Sequence, residues 1–354
     1  MVAAAYYVSK HADRDVYVIT TAKKRDSLDW QREFARFAIG HDEGSTVAGI
    51  LTIESWNNID KFTGIKGAFF IFDEQRLVGS GSWVKAFLQI AAHNSWILLS
   101  ATPGDSWLDY IPVFIANGFY KNRTEFKARH VVYKAYSKFP AVDHYTNVGH
   151  LVRLRNKIIV KMPYERHTRR HTVILPVDHD EALMKRAMKD RWNPFKDVPI
   201  EISAELYSVM RRIVSIHPSR MDRLKQVMEK HPRLIVFYNF NYELDMLRGV
   251  EGIPIAEWNG HKHQPIPNTR RWLYLVQIVS GAEGWECITT NATFFWSQSY
   301  SYKLTEQACG RIDRMNTPFV NLFYYLPMSN SFIDKAVRRA FIEKKDFNES
   351  DVSV

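Results

Sequence analysis

Cysteine is almost missing: Cys287 and Cys309 are the only two in 354 residues. Their separation matches neither a zinc-ligand spacing nor a disulfide framework, so reduced thiols in an intracellular, cytoplasmic protein are expected. No apolar run reaches the ~18 residues of a membrane-crossing helix, and no signal-peptide pattern or internal repeat is present. Glycine is sparse, at 16 residues. Nowhere are glycines arranged as G-x-x-x-x-G-K-[ST], the loop whose amides and lysine cradle nucleotide phosphates. Acidic residues are outnumbered 38 to 48, leaving a net charge of +10 and a pI near 9.4. Such a balance suits a polyanionic partner, and nucleic acid before membrane, because no basic amphipathic anchor or lipidation motif stands out.

What is present reads as a globular α/β chain. Hydrophobic residues make up 46% and charged residues 24% of the sequence, enough to bury real cores over about two domains. Short apolar runs with turn residues after them predict strands buried on both faces. They include Val16–Ile19, Phe69–Phe72, Trp96–Leu99, Leu234–Tyr238, Trp272–Ile278 and Thr293–Trp296. Amphipathic stretches between them predict helices, among them Ser82–His93, Asp180–Trp192 and Leu206–Ser215. Asp26 or Ser27 is expected to cap a helix through Leu28, Trp30, Phe34 and Phe37.

Three stretches carry candidate chemistry. Asp73-Glu74-Gln75-Arg76 places a carboxylate pair at the carboxyl end of a buried strand, where Mg²⁺-nucleotide chemistry sits in open α/β sheets. Ser100-Ala101-Thr102-Pro103 follows the next strand. Gln307-Ala308-Cys309-Gly310-Arg311-Ile312-Asp313-Arg314 sets two arginines three residues apart, one helical turn, so both forks are expected to face the same way and grip phosphate oxygens. Taken alone, a basic turn on a solvated face explains that pair equally well.

Jointly and in this order, the three resemble motifs II, III and VI of superfamily 2 helicases and translocases, DEAD/DEAH-box-related and of the Swi/Snf-like branch. Thr20-Thr21-Ala22-Lys23-Lys24 with Trp30-Gln31-Arg32-Glu33-Phe34 resembles motif Ia. Ile53-Glu54-Ser55-Trp56-Asn57-Asn58 resembles motif Ib, the strand ending at Tyr238 motif IV, and Val279-Ser280-Gly281-Ala282-Glu283-Gly284-Trp285-Glu286 motif V. The resemblance implies two RecA-like domains, residues 1–118 and 171–354, joined by a helical, basic connection over 119–170. In that connection Leu151-Val152-Arg153-Leu154-Arg155 and Arg166-His167-Thr168-Arg169-Arg170 read as solvated charge runs, or else as spaced arginines that track a phosphate backbone.

The resemblance also implies ATP and Mg²⁺ as cofactors and duplex DNA as partner, favoured over RNA. Asp73, with Glu74, would hold the metal, and Glu74 would serve as base. Gln307, Arg311 and Arg314 would meet the transferring phosphoryl group. Arg76, Ser100 and Thr102 would couple hydrolysis to motion. Gly281, Gly284, Glu286 and Gly310 would border the nucleotide. Thr21, Lys23, Lys24, Ser55, Tyr238 and Ser280 would touch nucleic acid. Arg76 departs from the histidine of many relatives.

The family's phosphate loop lies directly before a helix like Met1–Lys10, so the first domain is expected to lack its loop strand and the chain to be N-terminally truncated and inactive alone. A monomer of phage or mobile-element type is expected. Two other classes fit the same scaffold: a non-catalytic nucleic-acid-binding subunit and a protein-recruitment platform.

Overall fold

The computed structural model describes residues 1–11, 13–37, 39, 49–74, 77, 79–100, 104–135, 140–160, 166–281 and 285–349. The chain divides into two compact units: residues 1–162 with 348–354, and residues 163–347. Each is built on an all-parallel sheet flanked by helices, which is the expected α/β class.

The first unit opens with α1 (Val2–His11), β1 (Val16–Thr20), α2 (Ala22–Asp26) and α3 (Asp29–Ala35). Then come β2 (Leu51–Ser55), a 3₁₀ turn over Trp56–Phe62, β3 (Phe69–Asp73), α4 (Ser82–Ala91) and β4 (Ser95–Leu99). Sheet order is β2-β1-β3-β4. The central strands β1 and β3 are apolar at successive positions because both faces are covered. Val16, Val18, Phe69 and Ile71 pack with Ala5 and Val8 of α1 and with Trp30 and Phe34 of α3. The alternate residues Ile19, Phe70 and Phe72 pack with Trp56, Ile59, Val84, Phe87 and Ile90 on the other face. The period of two along a strand thus sorts one run into two cores. A helical annex follows: α5 (Ile111–Ala116), α6 (Arg123–His130), the antiparallel hairpin β5 (Val131–Tyr133) with β6 (Val142–Tyr145), and α7 (Val148–Ile158).

The helix expected after β1 is two helices. Thr21 rather than Asp26 or Ser27 caps the first, its hydroxyl accepting from the Lys24 amide at 3.3 Å. The chain then breaks at Leu28, which adopts φ +57° before α3 begins.

In the second unit, β7 (Arg169–Pro176) leads to α8 (Glu181–Lys189) and a small hairpin, β8 (Trp192–Asn193) with β9 (Val198–Pro199). The order continues α9 (Ser203–Ser215), α10 (Pro218–Lys230), β10 (Arg233–Tyr238), α11 (Asn241–Arg248), β11 (Ile255–Trp258), β12 (Trp272–Gln277) and α12 (Ile278–Gly281). It closes with β13 (Ala292–Phe295), α13 (Tyr302–Cys309), β14 (Asn321–Met328) and α14 (Phe332–Glu349). Sheet order is β11-β12-β10-β13-β14-β7. On one face Leu234, Val236 and Tyr238 pack with Leu224 and Val227 of α10 and with Leu244 and Leu247 of α11. On the other, Ile235 and Phe237 pack with Ala308, Cys309 and Ile312. Among the described residues, no helix is long and apolar enough to cross a membrane.

Candidate active site residues in the two units

In the first unit the chemistry gathers where β1 and β3 end. Parallel pairing sets Ile19 opposite Phe72, so Thr20 and Asp73 leave the sheet side by side. Asp73 is 5% exposed. Its Oδ2 accepts from Thr20 Oγ1 at 2.8 Å, Lys24 Nζ at 2.9 Å and Trp30 Nε1 at 3.0 Å. Its backbone carbonyl accepts from Trp56 Nε1 at 2.9 Å. The carboxylate is therefore fixed by donors from a neighbouring strand and two helices.

Glu74 follows with φ +54°, a left-handed conformation that costs a non-glycine residue roughly 1–2 kcal/mol. Strain of this kind, held next to a buried acid, is typical of functional positions. Glu74 Oε1 meets the same Lys24 ammonium at 3.2 Å. For Lys24, burial alone would lower the pKa; the Asp73 and Glu74 carboxylates outweigh it and hold the ammonium above its ordinary value.

Lys24, expected to touch nucleic acid, is thus placed on the acid pair. Lys23 beside it is exposed. Ser55, expected at a nucleic-acid surface, is 2% exposed. Its hydroxyl takes a 3.4 Å contact from Arg25, which also pairs with Glu54. Ser100 directly follows β4, whereas Arg76 and Thr102 lie outside the described residues.

The donor set fits one metal type. Among the described residues no cluster of three or more His, Cys, Asp or Glu could cage an ion. Two hard carboxylates at a strand end suit Mg²⁺, which keeps several waters and takes its remaining oxygens from phosphates. Asp73 and Glu74 would be the protein's share of that shell. A triphosphate cradle of the G-x-x-x-x-G-K-[ST] kind is not among these 354 residues.

In the second unit, α13 starts at Ser301, whose hydroxyl accepts from the Leu304 amide, and ends at Cys309 with Gly310 as its cap. Arg311 and Arg314 therefore stand on the turn after the helix, not on a helical face as the spacing implied. They still converge, because both turn to one acceptor. Arg311 Nη1 donates to the Trp285 carbonyl at 2.6 Å, and Arg314 Nη2 lies 3.5 Å from it. Arg311 Nε also donates to the Gln307 carbonyl at 3.0 Å. Arg314 Nε has no hydrogen-bond partner and sits 3.5 Å from the Glu286 carboxylate. The Cys287 amide donates to the Arg311 carbonyl at 2.9 Å, joining the two segments.

Between the arginines, Asp313 is the anchor that sequence reading missed. Its side chain is 5% exposed. It accepts from Thr168 Oγ1 at 2.6 Å, Arg170 Nε at 2.7 Å and Arg166 Nη1 at 2.9 Å. Arg170 also pairs with Glu306 at 2.7 Å. Burial would raise the Asp313 pKa; the hydrogen bonds from Thr168 and Arg170 and the arginine charges overcome that and hold it below the ordinary aspartate value. Arg166 and Arg170 are thus part of the scaffold under the arginine turn. The one signal available was an acid between two arginines of a basic motif.

Near the expected nucleotide border, Gly281 is required by packing: a Cβ there would stand 2.2 Å from Val276 Cγ1. Its carbonyl accepts from Trp285 Nε1 at 2.7 Å. Ser280 Oγ donates to Gln277 at 2.7 Å. Gln307 is 8% exposed, and Tyr238, expected to touch nucleic acid, is buried at 1% in the core. Gly284 lies outside the described residues.

No family model matches the chain, and no curated protein does. Among solved structures it is similar to the C-terminal part of the Fun30 ATPase domain, with 14% identity, 41% of this chain and 56% of that chain covered, and a TM-score of 0.32. The chain therefore spans about half the length of that relative. It is also similar to the Sulfolobus solfataricus SWI2/SNF2 ATPase core in complex with dsDNA, with 12% identity, 98% of this chain and 84% of that chain covered, and a TM-score of 0.39.

Proposed function

We propose that these residues form the body of a nucleic-acid-stimulated ATPase that moves along duplex DNA. The observation that supports it most is the Asp73–Glu74 pair: two carboxylates at the carboxyl end of a buried parallel strand, one fixed by three donors and the other held in a strained backbone. In this reading Asp73, with Glu74, would hold Mg²⁺, and Glu74 orients and deprotonates the attacking water. Bound Mg²⁺ would neutralise charge on the phosphate oxygens. Arg311 and Arg314 stabilise charge on the transferring phosphoryl group and Gln307 helps position it, with Gly281, Gly284, Glu286 and Gly310 bordering the nucleotide. Arg76, Ser100 and Thr102 relay the hydrolysis state. Thr21, Lys23 and Ser280 serve the phosphate backbone; Ser55 and Tyr238 are buried and make no direct contact with it.

The reading requires a phosphate cradle from polypeptide outside these 354 residues. Its test is duplex-stimulated ATP turnover by the chain alone and by the chain joined to a segment carrying such a loop, each with Glu74→Gln beside it. Stimulated turnover in the joined form, abolished by Glu74→Gln, supports the motor. Turnover that Glu74→Gln leaves intact rejects it. The missing loop favours a second reading, a nucleic-acid-binding subunit that does not hydrolyse. That reading gains if the joined form binds duplex tightly and never turns over.

A further inference from the structure

In the first unit a cavity of about 470 Å³ opens between the end of α6 and the start of α7. Arg129, His130, Asn147, Gly149, His150 and Arg153 line it, and no carboxylate does. His130 forms the floor, 3% exposed. Its Nδ1 donates to the Thr146 carbonyl at 3.0 Å, and its Nε2 meets the Tyr120 hydroxyl at 2.8 Å. With both nitrogens engaged, the ring is locked, and His150 stacks on it at 6.0 Å and 10°. His150 and Arg153, three apart on α7, fall on the same side of that helix.

The cations differ in what they already hold. Arg129 pairs with Glu125 at 2.7 Å, and Glu125 is not among the lining residues. Arg153 is exposed and, among the described residues, makes no hydrogen bond or ion pair. Asn147 enters α7 with φ +53° and gives the helix no side-chain cap, so first-turn amides lack a side-chain acceptor. Burial first, and then the charges of His130, Arg153, Lys157 and Arg129, hold His150 below the ordinary histidine value. Like charges gathered in a concavity repel one another, and an anion placed there reverses that cost.

We propose that this cavity binds a phosphate group, the chemistry shared by a nucleic-acid backbone and free inorganic phosphate. Guanidinium forks match phosphate oxygens, and the cavity leaves room beyond the phosphate for an attached sugar. Binding here needs no ATP hydrolysis, so the site stands or falls apart from the Asp73–Glu74 reading.

The test uses the full chain, Arg153→Glu, and the milder pair His150→Gln with Arg153→Gln. Fluorescence anisotropy with a labelled duplex is measured from about 50 to 200 mM salt, and calorimetry follows inorganic phosphate. Loss of one phosphate contact is expected to weaken duplex binding and to lower the salt slope by about 1. A loss of duplex affinity in both variants identifies the backbone as the source. Phosphate heat present in the wild type and absent in the variants, with duplex binding unchanged, identifies free phosphate instead. Duplex affinity, salt slope and phosphate heat all at wild-type values in normally melting variants would overturn the proposal.

Discussion

Replacing Asp313 by asparagine asks what the buried anchor is worth. The carboxylate accepts from Arg170 Nε at 2.7 Å, Arg166 Nη1 at 2.9 Å and Thr168 Oγ1 at 2.6 Å. Asparagine can turn its carbonyl toward the arginines and its amide toward the threonine, whose hydroxyl rotates to accept. Shape survives and charge is lost. A hydrogen bond to a charged group contributes about 1.5–3 kcal/mol against about 1 for a neutral one. Arg170 therefore loses on the order of 1–2 kcal/mol. Arg166, 46% exposed, adds only a few tenths because solvent already screens it.

The expected cost is about 2 kcal/mol, a roughly thirty-fold rise in local opening. Hydrogen exchange at the Cys287 amide, bonded to the Arg311 carbonyl, reads that opening directly. Asp313→Ala, which strips every acceptor, should cost about 3–5 kcal/mol. The pH dependence has a fixed sign. A depressed folded pKa contributes stability above the unfolded value near 3.9, lost as pH falls through the folded value. The gap between wild type and Asp313→Asn should therefore begin to close below about pH 4 and vanish only below the depressed folded value. Less than about a threefold change in Cys287 exchange in both variants, or no convergence in acid, would refute the buried-anchor argument.

Lys24→Met should lower stability by about 2 kcal/mol by denaturant titration, since Asp73 keeps Thr20 and Trp30 but loses its charged donor. The raised Lys24 pKa makes that wild-type advantage full below pH ~10.4 and lost as pH rises through the folded value. Gly281→Ala should cost about 1–3 kcal/mol in thermal melting, because its methyl would meet Val276 at 2.2 Å. In the loop-bearing form Arg314→Ala should cut stimulated turnover by on the order of 10³. Its contacts at 3.5 Å should leave the melting temperature nearly unmoved, so near-normal turnover removes Arg314 from the chemistry.

The strands buried on both faces were legible because burial demands an unbroken apolar run: Phe69–Phe72 and Leu234–Tyr238 carry nothing else. By contrast β14 drew no expectation, although Leu322–Leu326 between Asn321 and Pro327 is itself an unbroken apolar run. Nor did β11, a four-residue strand containing Glu257. β14 owes its place to a partner distant in sequence, β7, whereas β11 is an edge strand held by β12, the next strand along the chain. The acid pair stood out by its position at a strand end. Its donors Thr20, Trp30 and Trp56 did not, because only parallel register and helix packing bring them to Asp73. The basic run at Arg166 and Arg170 reads as solvated until Asp313, more than 140 residues on, turns it inward.

The indole N–H of Trp30, donated to Asp73 at 3.0 Å from a fully buried ring, makes that tryptophan a spectroscopic witness. An indole proton shared with a carboxylate resonates where the carboxylate's charge sets it. Whatever alters that charge, whether proton, cation or a moved ammonium, shifts one nitrogen–proton cross-peak among the ten tryptophans. Trp56, whose N–H points to the Asp73 carbonyl instead, feels the strand directly and the carboxylate's charge only at second hand. The two signals side by side separate an electrical event at the acid from a movement of the backbone that carries it.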